Sequence, residues 1–277
     1  MKTHSIKLLV TGGSGFIGIH IMEWALNKSL EVINFDINQT KIINQQKFWK
    51  KVDLKNISLL KSEIDKFQPT HILHLAALIK MDASNISEFD DNILGLKNIL
   101  KVINYTNSVR HFVFISSAMV CKSGYIAKNE TDYCPPNLYG ESKVIGENII
   151  RNTKLNCHWS IVRPASIWGP WFKCSKNTFF KLIDKNLYFH IKQEKCCKPV
   201  SYVGNTVYMI MKILFVENLQ ENSKKTYYIT DYPCYYAEEW ANVIQKTLNS
   251  KPIKTLPYWF LKTIAIIGDI CKNFIGK

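Results

Sequence analysis

The sequence lacks the cysteine and histidine spacings of a metal site. Its eight cysteines include no Cys-x-x-Cys pair, although Cys196 and Cys197 are adjacent. No signal peptide is expected either, because residues 6–10 form a short apolar run that leads directly into a glycine-rich turn. We therefore predict a cytoplasmic protein without a metal, whose cysteines are free thiols that mostly fill the core.

Acidic residues are scarce: the chain has 22 Asp and Glu against 36 Lys and Arg, a net charge of +14. A basic groove for nucleic acid is one interpretation of such a charge. The lysines are scattered, however, and the densest cluster, at residues 192–198, is interrupted by Glu194 and two cysteines. We predict no nucleic-acid partner. The charge fits surface lysines that keep the protein soluble, or a positive field that attracts an anionic small molecule.

Glycine and proline are not abundant, at 12 and 9 of 277 residues, and no repeat of fixed period is present. Apolar runs alternate with helical patterns along the first part of the chain. These runs are residues 6–10, 31–35, 48–52, 72–75, 112–115 and 159–162. The alternation predicts an α/β fold with a Rossmann-type doubly wound parallel sheet. We expect this domain over residues 1–170, and a smaller C-terminal α/β substrate lobe over residues 171–277.

A glycine-rich turn follows the first predicted strand. Gly12, Gly15 and Gly18 have the spacing G-x-x-G-x-x-G, and Phe16 and Ile17 begin the helix that follows. Small residues let the backbone approach a pyrophosphate, and a helix N-terminus offers free N–H groups and the positive end of a dipole. The turn therefore predicts a dinucleotide-binding site in preference to an ordinary tight turn without a ligand.

Two acidic residues lie at the ends of neighbouring predicted strands. Asp36 would accept hydrogen bonds from the adenosine ribose hydroxyls and repel a 2′-phosphate, which favours NAD over NADP despite the nearby Lys41. Asp53 and Leu54 follow the third strand and would flank the adenine, although Asp53 is also typical of an ordinary carboxylate at a strand end.

A Tyr-x-x-x-Lys pair lies in the middle of the chain. Tyr139 and Lys143 share one face of a predicted helix, and Ser116 and Ser117 end the preceding strand. A nearby ammonium stabilises a phenolate and lowers the pKa of the tyrosine toward neutrality. Such a phenol can take a proton from a sugar hydroxyl while a hydride leaves for a nicotinamide. The pair alone is common on helix surfaces, but with the glycine turn it predicts a catalytic site.

With these segments in this order, the chain resembles the extended short-chain dehydrogenase/reductase superfamily, in its NAD-dependent nucleotide-sugar epimerase/dehydratase branch. The matching segments extend over residues 6–207. They are residues 11–18 (TGGSGFIG), Asp36, 53–54 (DL), 74–77 (HLAA), 92–95 (NILG), 116–120 (SSAMV), 139–143 (YGESK) and 162–164 (VRP).

The resemblance implies roles for individual residues. Ser117, Tyr139 and Lys143 would form the catalytic triad, and Lys143 would also hold the nicotinamide ribose. Asn92 matches the asparagine that orders the active site of the wider superfamily, and Pro164 would lie against the nicotinamide. Further cofactor contacts are expected from Leu75, Ala76, Ala77 and Ser116.

Three departures from the family pattern bear on the substrate. Dehydratases that make 4-keto-6-deoxy sugars carry an acidic pair where this chain has Ala118 and Met119, so 4,6-dehydration is disfavoured. Lys198 takes the place of a pyrophosphate-binding arginine; it can neutralise phosphate without a bidentate grip, or it can be a solvated lysine. Ser166 replaces an asparagine that contacts the nucleotide. The residues predicted to bind substrate are Ser117, Tyr139, Ser166 and Lys198.

The carboxyl end is strongly apolar over residues 256–270, apart from Lys262 and Asp269. This segment is too short and interrupted for a convincing transmembrane helix, and packing on the substrate lobe is favoured over contact with a membrane surface. Because chains of the family are usually longer, we expect the carboxyl end to be truncated.

The function that the resemblance implies is NAD-dependent epimerisation of a nucleotide sugar, at C4 and through a 4-keto intermediate, in the synthesis of nucleotide sugars or surface polysaccharide. A nucleotide-4-keto-sugar reductase or dehydrogenase would use the same triad, and a non-catalytic NAD-binding protein is the third alternative. Homodimers are common in the superfamily, so we expect a homodimer that pairs through the predicted long helices at residues 86–105 and 139–152.

Overall fold

The computed structural model describes residues 6–172, 178–192, 197–259 and 263 of the chain. The helices are α1 (Phe16–Asn27), α2 (Ile57–Phe67), α3 (Asp90–Ile103), α4 (Leu138–Asn152), α5 (Thr178–Asp184), α6 (Val203–Leu214), α7 (Leu219–Asn222) and α8 (Ala237–Thr247). The strands are β1 (Lys7–Thr11), β2 (Glu31–Asp36), β3 (Trp49–Lys51), β4 (His71–His74), β5 (His111–Ile115), β6 (His158–Pro164), β7 (Ser166–Trp168), β8 (His190–Lys192), β9 (Cys197–Lys198), β10 (Val200–Tyr202), β11 (Lys225–Ile229), β12 (Tyr235–Tyr236) and β13 (Thr255–Pro257).

A parallel sheet of seven strands organises the fold. Its order is β11-β6-β5-β4-β1-β2-β3, and every neighbouring pair is parallel. The predicted doubly wound α/β sheet is therefore confirmed. The chain reverses its direction across the sheet between β1 and β4, and ligands of such folds bind beyond the carboxyl ends of the strands at this point.

The strands are buried on both faces, which explains their continuous apolar runs. Leu9, Ile72 and Phe112 face the cluster of buried side chains that includes α2, α3 and α4. Leu8 and Leu73, one residue away on the same strands, face the cluster that includes α1 and α6. Because successive side chains of a strand point to opposite faces, this alternation divides the core into two layers.

The long helix predicted at residues 86–105 is divided. Residues Ile86–Phe89 form a 3₁₀ turn, and the α-helix α3 begins only at Asp90. The side chain of Asn85 accepts a hydrogen bond from Ser87 N at 3.0 Å, and that of Glu88 accepts one from Asn85 N at 3.1 Å. This reciprocal capping box is a strong start signal, so the break follows from local sequence.

The described residues form two compact units. One contains residues 6–172 and 201–231, and the other contains residues 178–192, 197–200 and 232–259 together with residue 263. The chain thus leaves the first unit after residue 172 and returns to it at residue 201 to add α6 and β11. Most of the apolar carboxyl segment, with Lys262 and Asp269, lies outside the described residues. No helix in the described part of the chain is long and apolar enough to cross a membrane.

The expectation that all cysteines are free thiols is wrong for one pair. Cys197 and Cys234 form a disulfide with their Cα atoms 6.0 Å apart, although 37 residues separate them in sequence. Antiparallel pairing of β9 with β12, which follows Cys234, brings the two together within the range that a disulfide can bridge. Cys121, Cys134 and Cys157 are free thiols, as expected.

Candidate active site

Two glycines of the turn between β1 and α1 are required by the protein's own packing. Gly12 has a φ of +74°, and a Cβ there would lie 2.6 Å from the backbone nitrogen of Ala76. A Cβ on Gly18 would lie 2.4 Å from the carbonyl oxygen of Gly12. Glycine at position 12 therefore lets the turn lie close to the residues after β4. Glycine at position 18 lets the first turn of α1 pack closely on the glycine-rich turn.

Gly15 is less crowded than either of them. A Cβ there would meet only the carbonyl oxygen of Gly12 within 4 Å, at a distance of 3.2 Å. Gly15 is the N-cap of α1, no side chain caps this helix, and its first turn has no acidic residue. The backbone N–H groups of Phe16 and Ile17 lie in that turn. The turn therefore offers a cradle that a side chain would fill, which fits the pyrophosphate of a dinucleotide.

Asp36 lies at the end of β2, beside the glycine turn, as predicted. One oxygen of its carboxylate accepts a hydrogen bond from Ser14 N at 3.1 Å, and the other accepts one from Asn38 N at 2.9 Å. Asn34, which the sequence did not single out, also binds the turn: its Oδ1 accepts from Gly13 N at 2.9 Å. The carboxylate that would meet the ribose is thus fixed to the loop that would meet the phosphates.

Asp53 and Leu54 have local structural partners. Asp53 Oδ1 accepts a hydrogen bond from Lys55 N at 2.9 Å, in a short turn after β3. Leu54 packs beneath Gly95, where an added Cβ would approach the Leu54 Cβ to 3.1 Å. Contact of these two residues with an adenine stays a prediction.

The residues after β4 connect the glycine turn to α3. Leu75 N donates to the carbonyl oxygen of Thr11 at 3.0 Å, and Ala76 N donates to the Thr11 hydroxyl at 3.4 Å. The Asn92 side chain accepts from Leu78 N at 2.7 Å and donates to Leu78 O at 3.1 Å. Asn92 therefore orders the loop that follows β4.

A small cavity of about 10 Å³ lies between this loop and α4. Ala76, Ala77 and Asn92 line it together with Lys143 and His74. Burial lowers the pKa of His74 to about 3, and the charge of Lys143 acts in the same direction. His74 is consequently a neutral partner, and its Nδ1 lies 2.8 Å from the Thr11 hydroxyl.

Ser117 and Tyr139 meet above the end of β5. The Ser117 side chain is close enough to Tyr139 to favour the phenolate and oppose the rise of the Tyr139 pKa. Ser117 Oγ accepts a hydrogen bond from Met119 N at 3.1 Å. Asn137 begins α4 and accepts a hydrogen bond from Gly140 N at 2.9 Å, which fixes the first turn that carries Tyr139. A Cβ on Gly140 would lie 2.2 Å from the carbonyl oxygen of Met119, so this approach depends on glycine.

The pKa of Tyr139 differs from the sequence prediction. Burial raises it to about 12, and the hydrogen bond from Ser117 opposes this shift. Lys143 Nζ lies 5.8 Å from the centre of the Tyr139 ring and donates to the carbonyl oxygen of Ile115 at 3.0 Å. Burial also lowers the pKa of Lys143 to about 8. Desolvation of the phenol therefore shifts its pKa in the direction opposite to the predicted one.

Ser116 turns inward from the end of β5. It is buried, and its hydroxyl donates to Glu147 at 2.6 Å, so its side chain binds the protein interior. Glu147 and its partner Arg163 were not predicted as site residues. The spacing of Glu147, one helical turn beyond Lys143, is the signal that would have found it.

The remaining predicted residues lie near β6 and β7. Pro164 ends β6 and is buried, with Ile229 as its neighbour in β11. Ser166 begins β7 and is exposed. The Lys198 side chain lies outside the described part of the structure. Phe172 packs on Phe16 with ring centres 4.9 Å apart.

These features together define the class of the protein. A dinucleotide cradle at the switch point of a Rossmann sheet, beside a Ser–Tyr–Lys constellation, is characteristic of short-chain dehydrogenases/reductases. The chain belongs to the NAD dependent epimerase/dehydratase family, whose sequence model matches residues 8–224. The family uses NAD, as predicted, and the residues present fit that cofactor.

Several known proteins are similar to this chain in sequence or in fold. UDP-glucuronate 4-epimerase 6 of Arabidopsis thaliana is 28% identical over 65% of this chain, but the match spans only 43% of that protein. The N-acetyl-alpha-D-glucosaminyl-diphospho-ditrans,octacis-undecaprenol 4-epimerase of Escherichia coli O157:H7 is 25% identical over 98% of this chain and 80% of its own. UDP-glucose 4-epimerase of Thermus thermophilus, solved with NAD, has a TM-score of 0.72 and 23% identity, covering 91% and 86% of the two chains. That likeness shows the fold.

Proposed function

We propose that the protein is an NAD-dependent 4-epimerase of nucleotide sugars. The observation that carries the proposal is the junction of Ser117, Tyr139 and Lys143 at the end of β5, on the same sheet edge as the glycine cradle of α1. This arrangement holds an acid/base group next to the expected nicotinamide end of the cofactor.

The chain's own residues bind the cofactor and move one proton. Gly15 and the first turn of α1 would hold the pyrophosphate, Asp36 the adenosine ribose and Lys143 the nicotinamide ribose. The chemistry that bound NAD supplies is reversible acceptance of a hydride. Tyr139 would take the proton of the sugar's C4 hydroxyl as C4 is oxidised, and return it after the 4-keto sugar has turned over. Because burial raises the pKa of Tyr139 to about 12, this step requires Ser117 and the Lys143 ammonium to stabilise the phenolate. Ser117 donates a hydrogen bond to the same sugar oxygen.

Epimerisation fits the residues that follow Ser117 better than dehydration does. Ala118 and Met119 form a 3₁₀ turn there with Val120, and none of the three side chains can donate or accept a proton. Removal of a C6 hydroxyl requires an acid for the leaving group, whereas inversion at C4 requires only the one acid/base that Tyr139 provides.

The relatives support the substrate class. The two curated relatives named above are called 4-epimerases, one of UDP-glucuronate and one of a diphospho-undecaprenol sugar. Both substrates carry the sugar on a diphosphate. A chain with a net charge of +14 suits such an anionic substrate.

The proposal is tested on the protein as purified. Its bound nucleotide is released by denaturation and identified, and the intact protein is incubated with UDP-, GDP- and dTDP-sugars without added cofactor. Stoichiometric NAD and a C4-inverted sugar are expected, with turnover lost in Tyr139→Phe and kept in Tyr105→Phe, a matched change at an exposed tyrosine. Turnover that requires a keto-sugar and added NADH or NADPH would assign a reductase instead. NAD binding without turnover of any sugar would leave a non-catalytic protein.

A further inference from the structure

Three residues on one face of α4 lie close to three consecutive residues at the end of β5. Lys143 Nζ donates to Ile115 O at 3.0 Å, and Glu147 accepts from the Ser116 hydroxyl at 2.6 Å. Tyr139 lies close enough to Ser117 for that side chain to oppose the rise of the Tyr139 pKa. Tyr139, Lys143 and Glu147 are spaced by four residues and therefore lie on successive turns of the helix.

Glu147 is held in place by a buried ion pair. Its side chain is fully buried, and so is that of Arg163. Arg163 Nε donates to Glu147 Oε1 at 2.8 Å and Nη2 donates to Oε2 at 2.6 Å, a bidentate geometry. Tyr133 donates its hydroxyl to the same carboxylate at 3.0 Å.

The Arg163 guanidinium makes two further hydrogen bonds. Its Nη1 donates to the Tyr228 hydroxyl at 2.7 Å, and its Nη2 donates to the carbonyl oxygen of Glu130 at 2.6 Å. The pair therefore joins α4 to β6, β11 and the loop before α4. A buried ion pair is weak evidence of stabilisation, because desolvation of both charges offsets their attraction. In this protein the ion pair fixes the position of the Glu147 carboxylate. That carboxylate binds Ser116, which immediately precedes Ser117 in the sequence.

Glu147 also acts on the charge of Lys143. The titratable groups that face Lys143 are His74 from β4, with Tyr139 and Glu147 from α4 itself. His74 is neutral. Burial and Glu147 have opposite effects on the Lys143 pKa, since burial lowers it and the carboxylate raises it.

We propose that Glu147 is a positioning residue of the active site: through Ser116 it fixes the peptide that presents Ser117 to Tyr139, and its carboxylate, one helical turn from Lys143, favours the protonated form of that lysine. Because it assigns Glu147 to the reaction, this inference rests on the proposed function. It predicts two separable effects, one on geometry through Ser116 and one on charge through Lys143.

The geometric effect is tested with Ser116→Ala, which leaves the Glu147–Arg163 pair complete. We expect kcat to fall about tenfold while KM and the affinity for NAD stay unchanged, since misplacement of one catalytic group slows the chemical step. A merely structural hydrogen bond would lower the melting temperature and leave kcat below that temperature unchanged. That second result would overturn the geometric part of the proposal.

The charge effect is tested with Glu147→Gln against Glu141→Gln, which removes the same charge from an exposed position of the same helix. In a plot of kcat against pH, the decline at high pH should move to lower pH by about one unit in Glu147→Gln. It should stay in place in Glu141→Gln. If Glu147→Gln fails to fold because Arg163 is left unpaired, the double variant Glu147→Gln/Arg163→Met is compared with Arg163→Met, so that the two proteins differ only in the Glu147 charge. If the decline of kcat at high pH does not move in the folded variant, the proposed effect of Glu147 on Lys143 is wrong.

A second readout does not require turnover. Titration of ¹⁵N-lysine-labelled protein by NMR, with Lys143→Met to assign the signal, reports the Lys143 pKa in the protein as purified. A lower pKa in Glu147→Gln than in wild type supports the proposal, and an equal pKa contradicts it. If wild-type protein turns over no sugar, the proposed function fails while this titration still decides how Glu147 acts on Lys143.

Discussion

The Lys143 ammonium donates a hydrogen bond to the carbonyl oxygen of Ile115, 3.0 Å away, and so connects helix α4 to the last residue of β5. The same ammonium lies over the rings of Phe114 and Tyr139, at 5.3 Å and 5.8 Å from their centres. A single buried charge therefore contacts the end of β5 and the ring of Tyr139, and under the proposed function it would also hold the nicotinamide ribose. Its loss should affect both binding and chemistry.

Lys143→Met tests this double role. We expect kcat to fall at least about a hundredfold, because an acid/base partner is lost, and the affinity for NAD to fall as well. In the wild type, activity should decline as pH rises past the Lys143 pKa of about 8, since the ammonium is present below that pH and lost above it. Steady-state kinetics and calorimetric titration with NAD measure both. Full NAD affinity in the variant would remove Lys143 from the cofactor site.

Gly15→Ala and Gly18→Ala form a matched pair in the glycine turn. A Cβ on Gly15 meets only Gly12 O at 3.2 Å, so this variant should fold, with a stability loss of about 1 kcal/mol or less, and bind NAD weakly. A Cβ on Gly18 lies 2.4 Å from Gly12 O, and we expect a loss of about 3 kcal/mol. Urea unfolding and NAD titration separate the two. Wild-type NAD affinity in Gly15→Ala would show that the cradle does not contact the phosphates.

Asp36→Asn tests the choice of cofactor. Asparagine keeps one oxygen that can accept the hydrogen bond from Ser14 N, but it removes the charge that repels a 2′-phosphate. We expect the affinity for NAD to fall about tenfold and the preference for NAD over NADP to shrink. Competition binding with both dinucleotides measures the ratio. An unchanged ratio would mean that Asp36 serves only the loop.

Three buried histidines predict a loss of stability in mild acid. Burial lowers the pKa of His71 to about 4, of His74 to about 3 and of His111 to about 4, whereas an unfolded histidine titrates near 6.5. Each folded pKa is depressed, so the unfolded chain binds the extra protons. Stability is therefore complete above pH 6.5 and falls as pH drops toward 4, by about 2 kcal/mol for each histidine at pH 5.

The measurement is urea unfolding between pH 7.5 and pH 5. The slope of the unfolding free energy against pH gives the proton uptake, and His71→Gln should reduce that uptake near pH 5 by about one proton. An identical slope in the variant would show that His71 titrates normally in the folded protein.

The glycine turn and the Tyr139–Lys143 pair were predictable because each depends on a few neighbouring residues. Parallel strands bring their carboxyl ends to one edge, so placing Gly12, Asp36 and Ser117 near each other required only the strand assignment. The spacing of Tyr139 and Lys143 likewise needed only the helical repeat.

The pKa of Tyr139 was not predictable in the same way. A four-residue spacing gives the proximity of an ammonium, but the desolvation of the phenol depends on every chain segment that covers it. The same holds for the partners of Glu147. Arg163 and Tyr133 come from different parts of the chain, as does Tyr228, which binds Arg163, and no local pattern connects them. The disulfide of Cys197 and Cys234 also depends on pairing between distant segments.

The return of the chain to the main sheet limits how the protein can be dissected. β11 covers the edge of β6 through five residue pairs, and α6 contributes Val207, Ile210 and Leu214 to the buried layer beside α1. A fragment that ends near residue 170 would expose that strand edge and that apolar layer to water, a known route to aggregation. The cofactor-binding half is thus completed by residues encoded after the segment that interrupts it, and it should fold only once they have been synthesised.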